Sequence, residues 1–129
     1  MVCRGAAAFA WDAMKSLSSF ESLYIHREPT DLRKNINGLG VIVQDEMKLD
    51  LKASALFIFC NRRRNRMKIL YFDRSGFALW FKRLEESKFP WPRNLEEDVI
   101  KISLEDMELL LDGINVWSRF SSIHFEKVI

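Results

Sequence analysis

The chemistry this chain can offer is concentrated in eight residues, Asn61-Arg62-Arg63-Arg64-Asn65-Arg66-Met67-Lys68, which hold five cations. A guanidinium presents its donors in a planar fork that matches the oxygens of a phosphate, so the residue types point to an anionic partner. Each phosphate neutralised by such a cluster releases counterions, which makes binding fall as salt rises. Further cations flank it in sequence: Arg33 and Lys34 before it, Lys82 and Arg83 after it. The candidate nucleic-acid-binding residues are therefore Arg33, Lys34, Asn61, Arg62, Arg63, Arg64, Arg66, Lys68, Lys82 and Arg83, with Asn61 and Asn65 read as uncharged donors beside the arginines. The bland alternative is a solvated, charged hairpin loop that binds nothing.

Other chemistries find less support. Aromatic residues interleave with the basic stretch (Phe57, Phe59, Tyr71, Phe72, Phe77, Trp80, Phe81, Phe89, Trp91). They would suit base stacking, but the same runs are rich in aliphatics, which favours a reading as core. Asp31, Asp73, Glu85 and Glu86 are the acids near the basic region, and a pair of them could hold magnesium for phosphoryl chemistry. Each has a simpler role: Asp31 at a helix start, Asp73 in a turn, the glutamates at a strand end. His26 and His124 have no partner pattern, Cys3 and Cys60 lack the nearby ligands of a zinc site, and no glycine-rich phosphate loop or nucleophile elbow is present. No catalytic residue, metal or cofactor is expected.

The sequence is 129 residues long, enough for one domain with a real core. Hydrophobic residues at 48% and charged residues at 29% fit an ordinary globular chain. The net charge of +2 conceals a strong polarity: residues 61–93 carry ten basic against three acidic side chains, and residues 94–129 carry three against eight. Such a chain can meet nucleic acid through one region and a basic protein through the other. No apolar run reaches the roughly 18 residues of a membrane span, and Asp12 interrupts the short run from Ala6 to Trp11, so neither a membrane nor a signal peptide is expected. A cytoplasmic protein with free thiols is the resulting expectation.

Positioning elements follow from periodicity. Phe20 to His26 reads as a strand. Leu32, Ile36, Leu39, Val43 and Met47 recur at helical spacing, which predicts a helix over 31–48 capped by Thr30 or Asp31, with Gly38 and Gly40 packed closely on a sheet. Ala55 to Cys60, Met67 to Asp73 and Phe77 to Leu84 alternate as strands joined by the basic loop and by Asp73-Arg74-Ser75-Gly76, which makes a β-meander. Phe89 to Arg93 contains Pro90 and Pro92 and should be stiff and extended. Val99 to Ile102 adds a short strand, and Ser103 opens a helix whose stripe is Met107, Leu110 and Leu111 and whose end is Gly113. The expected fold class is α+β, an antiparallel β-meander of three to five strands packed against two main helices. Residues 20–117 form the single domain, 1–19 an N-terminal extension with a possible short helix over 6–15, and 118–129 a tail.

The ordered set Pro29-Thr30-Asp31-Leu32-Arg33-Lys34, Gly38-Leu39, Leu56-Phe57-Ile58-Phe59-Cys60-Asn61-Arg62-Arg63, Lys68-Ile69-Leu70-Tyr71-Phe72-Asp73, Gly76, Lys82-Arg83-Leu84-Glu85 and Phe89-Pro90-Trp91-Pro92 resembles the accessory protein of IS66-type insertion sequences, often labelled TnpB. The resemblance covers about residues 20–114. It is distinct from the RNA-guided nucleases that share that label. Two positions depart from the family's pattern: Asn35 stands where relatives often carry Gly or Ser, and Asn37 where they often carry Asp, which further weakens a metal-site reading. Residues 1–13 precede the usual family start, and Met14 would serve as an alternative first residue. The resemblance implies a role in transposition beside a separate transposase. It leads to the expectation of a non-enzymatic factor that binds transposon-end DNA through the basic hairpin, with a module that docks the transposase as the alternative and a metal-dependent nuclease as the least favoured reading.

Overall fold

A computed structural model of the chain describes residues 19–92 and 95–117. The expected extension over most of 1–19 and the tail over 118–129 lie outside the described residues, as do Arg93 and Asn94. Five strands form one sheet: β1 (Ser22–His26), β2 (Ala55–Cys60), β3 (Arg66–Asp73), β4 (Gly76–Arg83) and β5 (Val99–Ile102), in the spatial order β4-β3-β2-β1-β5. β2, β3 and β4 make the expected antiparallel meander. β1 pairs with β2 in parallel, with Leu23 opposite Leu56 and Ile25 opposite Ile58, and β5 closes the far edge antiparallel to β1. The α+β class holds, with one parallel pair that the meander reading did not contain. Its origin is the long connection between β1 and β2, which carries a helix across one face of the sheet and returns the chain in the same direction.

All six residues of β2 are buried, the signature of a central strand covered on both faces. Alternation sends Leu56, Ile58 and Cys60 into one core cluster with Leu23, Ile25, Met67, Ile69, Phe89 and Trp91, and Ala55, Phe57 and Phe59 into a second with Leu39, Ile42, Val43, Met47 and Leu70. Fully burying an aliphatic or phenyl side chain is worth about 1.5–3 kcal/mol, so two facing clusters on one strand make β2 the energetic centre of the domain.

The helix on the second face is shorter than its stripe. It runs as α1 (Ile36–Val41) and continues as a π-helical turn (Ile42–Glu46), in which Met47 N donates to Ile42 O at 2.9 Å. Its N-cap is Asn35, without a side-chain cap, and not Thr30 or Asp31. Asp31 instead closes a separate turn: its Oδ1 accepts from Arg33 N at 3.0 Å and its carbonyl from Lys34 N at 3.1 Å. A short carboxylate satisfies local amides wherever the chain bends, so the capping signature was real but belonged to a turn one step earlier. Leu32 keeps its place in the second cluster from that turn. The glycines also pack differently from expectation. A Cβ on Gly40 would meet the Leu51 side chain, and one on Gly38 the Lys34 side chain, so neither faces the sheet directly.

The second helix, α2 (Leu104–Leu111), covers the first face. Ser103 Oγ accepts from Asp106 N at 3.0 Å as its cap, Met107 and Leu110 are fully buried, and Gly113 at φ 83° follows the helix end, all as the pattern predicts. Phe89 to Pro92 is pinned as expected: Trp91 Nε1 donates to Arg27 O at 3.0 Å, and Trp117 Nε1 to Pro90 O.

Candidate functional site

The basic loop joins β2 to β3, and its shape is dictated by Asn61. Asn61 Oδ1 accepts from the amides of Asn65 and Arg66, each at 3.0 Å, while Nδ2 donates to Asn65 Oδ1 at 2.8 Å. Arg64 N donates to Asn61 O at 3.0 Å, and Arg64 itself is left-handed at φ 60°. These bonds hold a tight five-residue connection. They occupy both side-chain carbonyl oxygens and one hydrogen of Asn61 Nδ2, so the two asparagines build the loop that carries the arginines.

The loop does not present its arginines as one patch. Arg64 O accepts from Phe89 N at 2.7 Å, and the Arg64 charge is felt by the Cys60 thiol, so Arg64 turns toward the face of the first cluster. Its Nε is buried with no hydrogen-bond partner among the described residues. Arg62 and Arg63 are exposed on the other side, where they face the segment Pro29 to Arg33. That segment is brought alongside by Thr30 N, which donates to Cys60 O at 2.9 Å at the end of β2.

Between them lies an open groove of about 1230 Å³, walled by Pro29 to Arg33 on one side and by Asn61, Arg62, Arg63, Asn65 and Arg66 on the other, with Lys68, Leu79 and Phe81 along its sheet side. Strand register explains the membership. Arg66 lies opposite Arg83 and Lys68 opposite Phe81, so these four share one face of the sheet, while Lys82, opposite Met67, belongs to the other. Five cations and one carboxylate, Asp31, line the groove.

The cations differ in availability. Arg33 is locked on Asp31: Nη2 sits 2.6 Å from Oδ2 and Nε 3.0 Å from both oxygens. This guanidinium holds the Asp31 carboxyl well below the usual carboxylate range, and the carboxylate in turn raises Arg33. Lys68 Nζ donates to Lys34 O at 3.0 Å and lies 5.9 Å from the centre of the Phe81 ring. Arg62, Arg63 and Arg66 have no carboxylate partner among the described residues.

Of the ten residues singled out from sequence, Arg33, Asn61, Arg62, Arg63, Arg66 and Lys68 line the groove. Lys34 adjoins it through its carbonyl, Arg83 lies on the same face but pairs with Glu85 at 2.8 Å, and Arg64 and Lys82 point to the opposite face. The groove residues outside that set are Pro29, Thr30, Asp31 and Leu32 on one wall, Asn65 in the loop, and Leu79 and Phe81 on the sheet, whose parity with Arg83 along β4 was the available signal. Asp31 and Asp73 are not brought together, because Asp73 closes the β3–β4 turn at the far end of an eight-residue strand, about 23 Å from Arg66. Among the described residues no group of three or more His, Cys, Asp or Glu is placed to hold a metal ion. Burial pushes the Cys60 thiol up to about 12.

Fold and site together define a small α+β domain with a helix on each sheet face and a cationic groove at one end of its meander. The chain belongs to the IS66 Orf2 like protein family, whose model matches residues 21–120. That makes it an accessory protein of an IS66-type insertion sequence. Two relatives, both from Sinorhizobium fredii (strain NBRC 101917 / NGR234), are "Uncharacterized protein y4jC" and "Uncharacterized protein y4hO". The chain is 31% identical to the first over 97 residues, which cover 75% of this chain and 81% of the relative. It is 35% identical to the second over 86 residues, 67% of this chain and 74% of the relative. No solved structure matches the chain.

Proposed function

We propose that this accessory protein is a non-enzymatic factor that contacts transposon-end DNA through the groove between the Pro29–Arg33 segment and the β2–β3 loop. The observation that carries this reading is the convergence of Arg62, Arg63 and Arg66 on one open groove without carboxylate partners among the described residues. Guanidiniums held by a rigid loop and left uncompensated are set up for phosphate oxygens. A titration of fluorescent terminal-repeat DNA, as duplex and as separated strands, tests it. Binding is expected to weaken steeply with salt, and to become much weaker and less salt-dependent when Arg62, Arg63 and Arg66 become alanine. Absent or salt-insensitive binding at low ionic strength would sink the proposal.

A second reading, a module that docks the transposase, draws on the acidic C-terminal third, where Glu96, Glu97, Glu105, Glu108 and Asp112 are exposed. Co-purification with the element's transposase after nuclease treatment supports it, and loss of the complex on nuclease treatment counts against it.

A further inference from the structure

We propose that the groove takes nucleic acid as a single strand, with one base stacked on the ring of Phe81 and the neighbouring phosphates on Arg62, Arg63 and Arg66. The inference rests on reading the groove as a DNA surface and adds the form in which the DNA is held. Its observation is the fate of the aromatics. Phe57, Phe59, Phe89 and Trp91 are buried, as a core reading requires, and Tyr71, Phe72, Phe77 and Trp80 are half-buried. Phe81 is 50% exposed and is the exposed aromatic side chain among the described residues. It shares a sheet face with Phe77 and Leu79, yet those two pack on the second core cluster and Phe81 joins neither cluster.

An apolar ring left half in water is unremarked on most surfaces. Here it lies within a groove lined by five cations, with Lys68 Nζ over one side of the ring at 5.9 Å from its centre. Stacking platform and phosphate-binding charge are the two parts a single-strand site needs, since every base offers a face and every nucleotide a phosphate. An intact duplex would use the cations and leave the ring idle, because its bases are already stacked on one another. The open groove of about 1230 Å³ also exceeds the roughly 300–1,000 Å³ typical of small-molecule clefts, which suits a segment of polymer.

The test compares three fluorescent probes at low salt: an oligothymidylate, an abasic strand of the same length and a duplex. The abasic strand keeps the phosphates and removes the stacking face. Wild-type protein is expected to prefer oligothymidylate over the abasic strand by about 5- to 150-fold, the range that stacking of one base provides. Phe81→Ala should abolish that preference while leaving abasic affinity in place, and Phe81→Trp should restore it. Since Phe81 lies outside both core clusters, these variants keep the fold, which circular dichroism verifies. Equal affinity of the wild type for the two strands, or a preference that survives Phe81→Ala, overturns the stacking proposal and leaves the groove as a phosphate surface. Failure of every probe to bind overturns the groove's nucleic-acid reading as well.

Discussion

The division of the arginine cluster into two faces yields a quantitative expectation. Arg62, Arg63 and Arg66 enter the groove free of carboxylates among the described residues, whereas Arg33 is held by Asp31 and Lys68 is tethered to Lys34 O. Three free guanidiniums that each neutralise one phosphate contribute about 2.7 to the slope of log affinity against log salt on duplex DNA, and about 2.1 on a single strand. Between about 50 and 200 mM salt the duplex value corresponds to a roughly 40-fold loss of affinity. The triple alanine variant should lose that increment, so its slope flattens by about three contacts. Arg64→Ala and Lys82→Ala should leave the slope unchanged, because both side chains point to the opposite face. Fluorescence anisotropy over a salt series gives all the slopes, with circular dichroism to confirm folding. A slope that drops equally for Arg64→Ala and Arg62→Ala would refute the division, and an unchanged slope in the triple variant would refute the groove.

Asp31→Asn keeps the oxygen that accepts from Arg33 N but removes the charge that holds the Arg33 guanidinium, so DNA affinity should rise and the salt slope steepen by about 0.9 on duplex. Because the folded carboxyl titrates below its unfolded value, the stabilising contribution of Asp31 is complete above the ordinary carboxylate range, fades progressively as pH falls from there toward the lower folded value and is gone below it; thermal unfolding of wild type against Asp31→Asn should therefore converge in strong acid and diverge above it. Asn61→Ala removes the acceptor of two amides and the donor to Asn65, and should lower stability by roughly 2 kcal/mol in urea unfolding, with Asn61→Asp, which keeps the acceptor, losing less. In a Cys3→Ser background, Cys60 should resist maleimide at pH 8 until the protein is unfolded, since burial raises its thiol to about 12.

The meander, its two turns, the capped α2 and the pinned Trp91 segment were legible in sequence because each rests on local signals: alternation, turn residues, a cap and prolines. The parallel pairing of β1 with β2 was not, because strand direction depends on where a long connection returns, and residues 27–54 carry no local mark of that. The start of α1 was misplaced for a related reason. Asp31 has the chemistry of a cap, and only the neighbouring geometry decides whether it caps a helix or a turn. In the groove, the cluster of cations was plain, but its partition was hidden. Phe81 was grouped with core aromatics because alternation assigns a face without saying how far along that face the core extends. The second cluster stops at Leu79, two residues short of it.

That stopping point and the split of the arginines have a common origin in the loop. Along β3, a period of two sends Arg66 and Lys68 to the α1 side and Met67 into the first cluster. Within the loop, the Asn61 side chain ties the amides of Asn65 and Arg66 back to the end of β2, and the left-handed Arg64 reverses the chain between them. The reversal hands the Arg64 carbonyl to Phe89 and so anchors the proline-rich segment to the first face. One residue of the basic run is thereby spent on architecture, and its neighbours are presented together on the other face. α1 begins only at Ile36, so that face is left uncovered at this end of the meander, where Phe81 and the free guanidiniums lie. Had Asp31 capped the helix, an additional turn would have run beside the loop; the turn it closes with Arg33 and Lys34 instead supplies the groove's opposite wall.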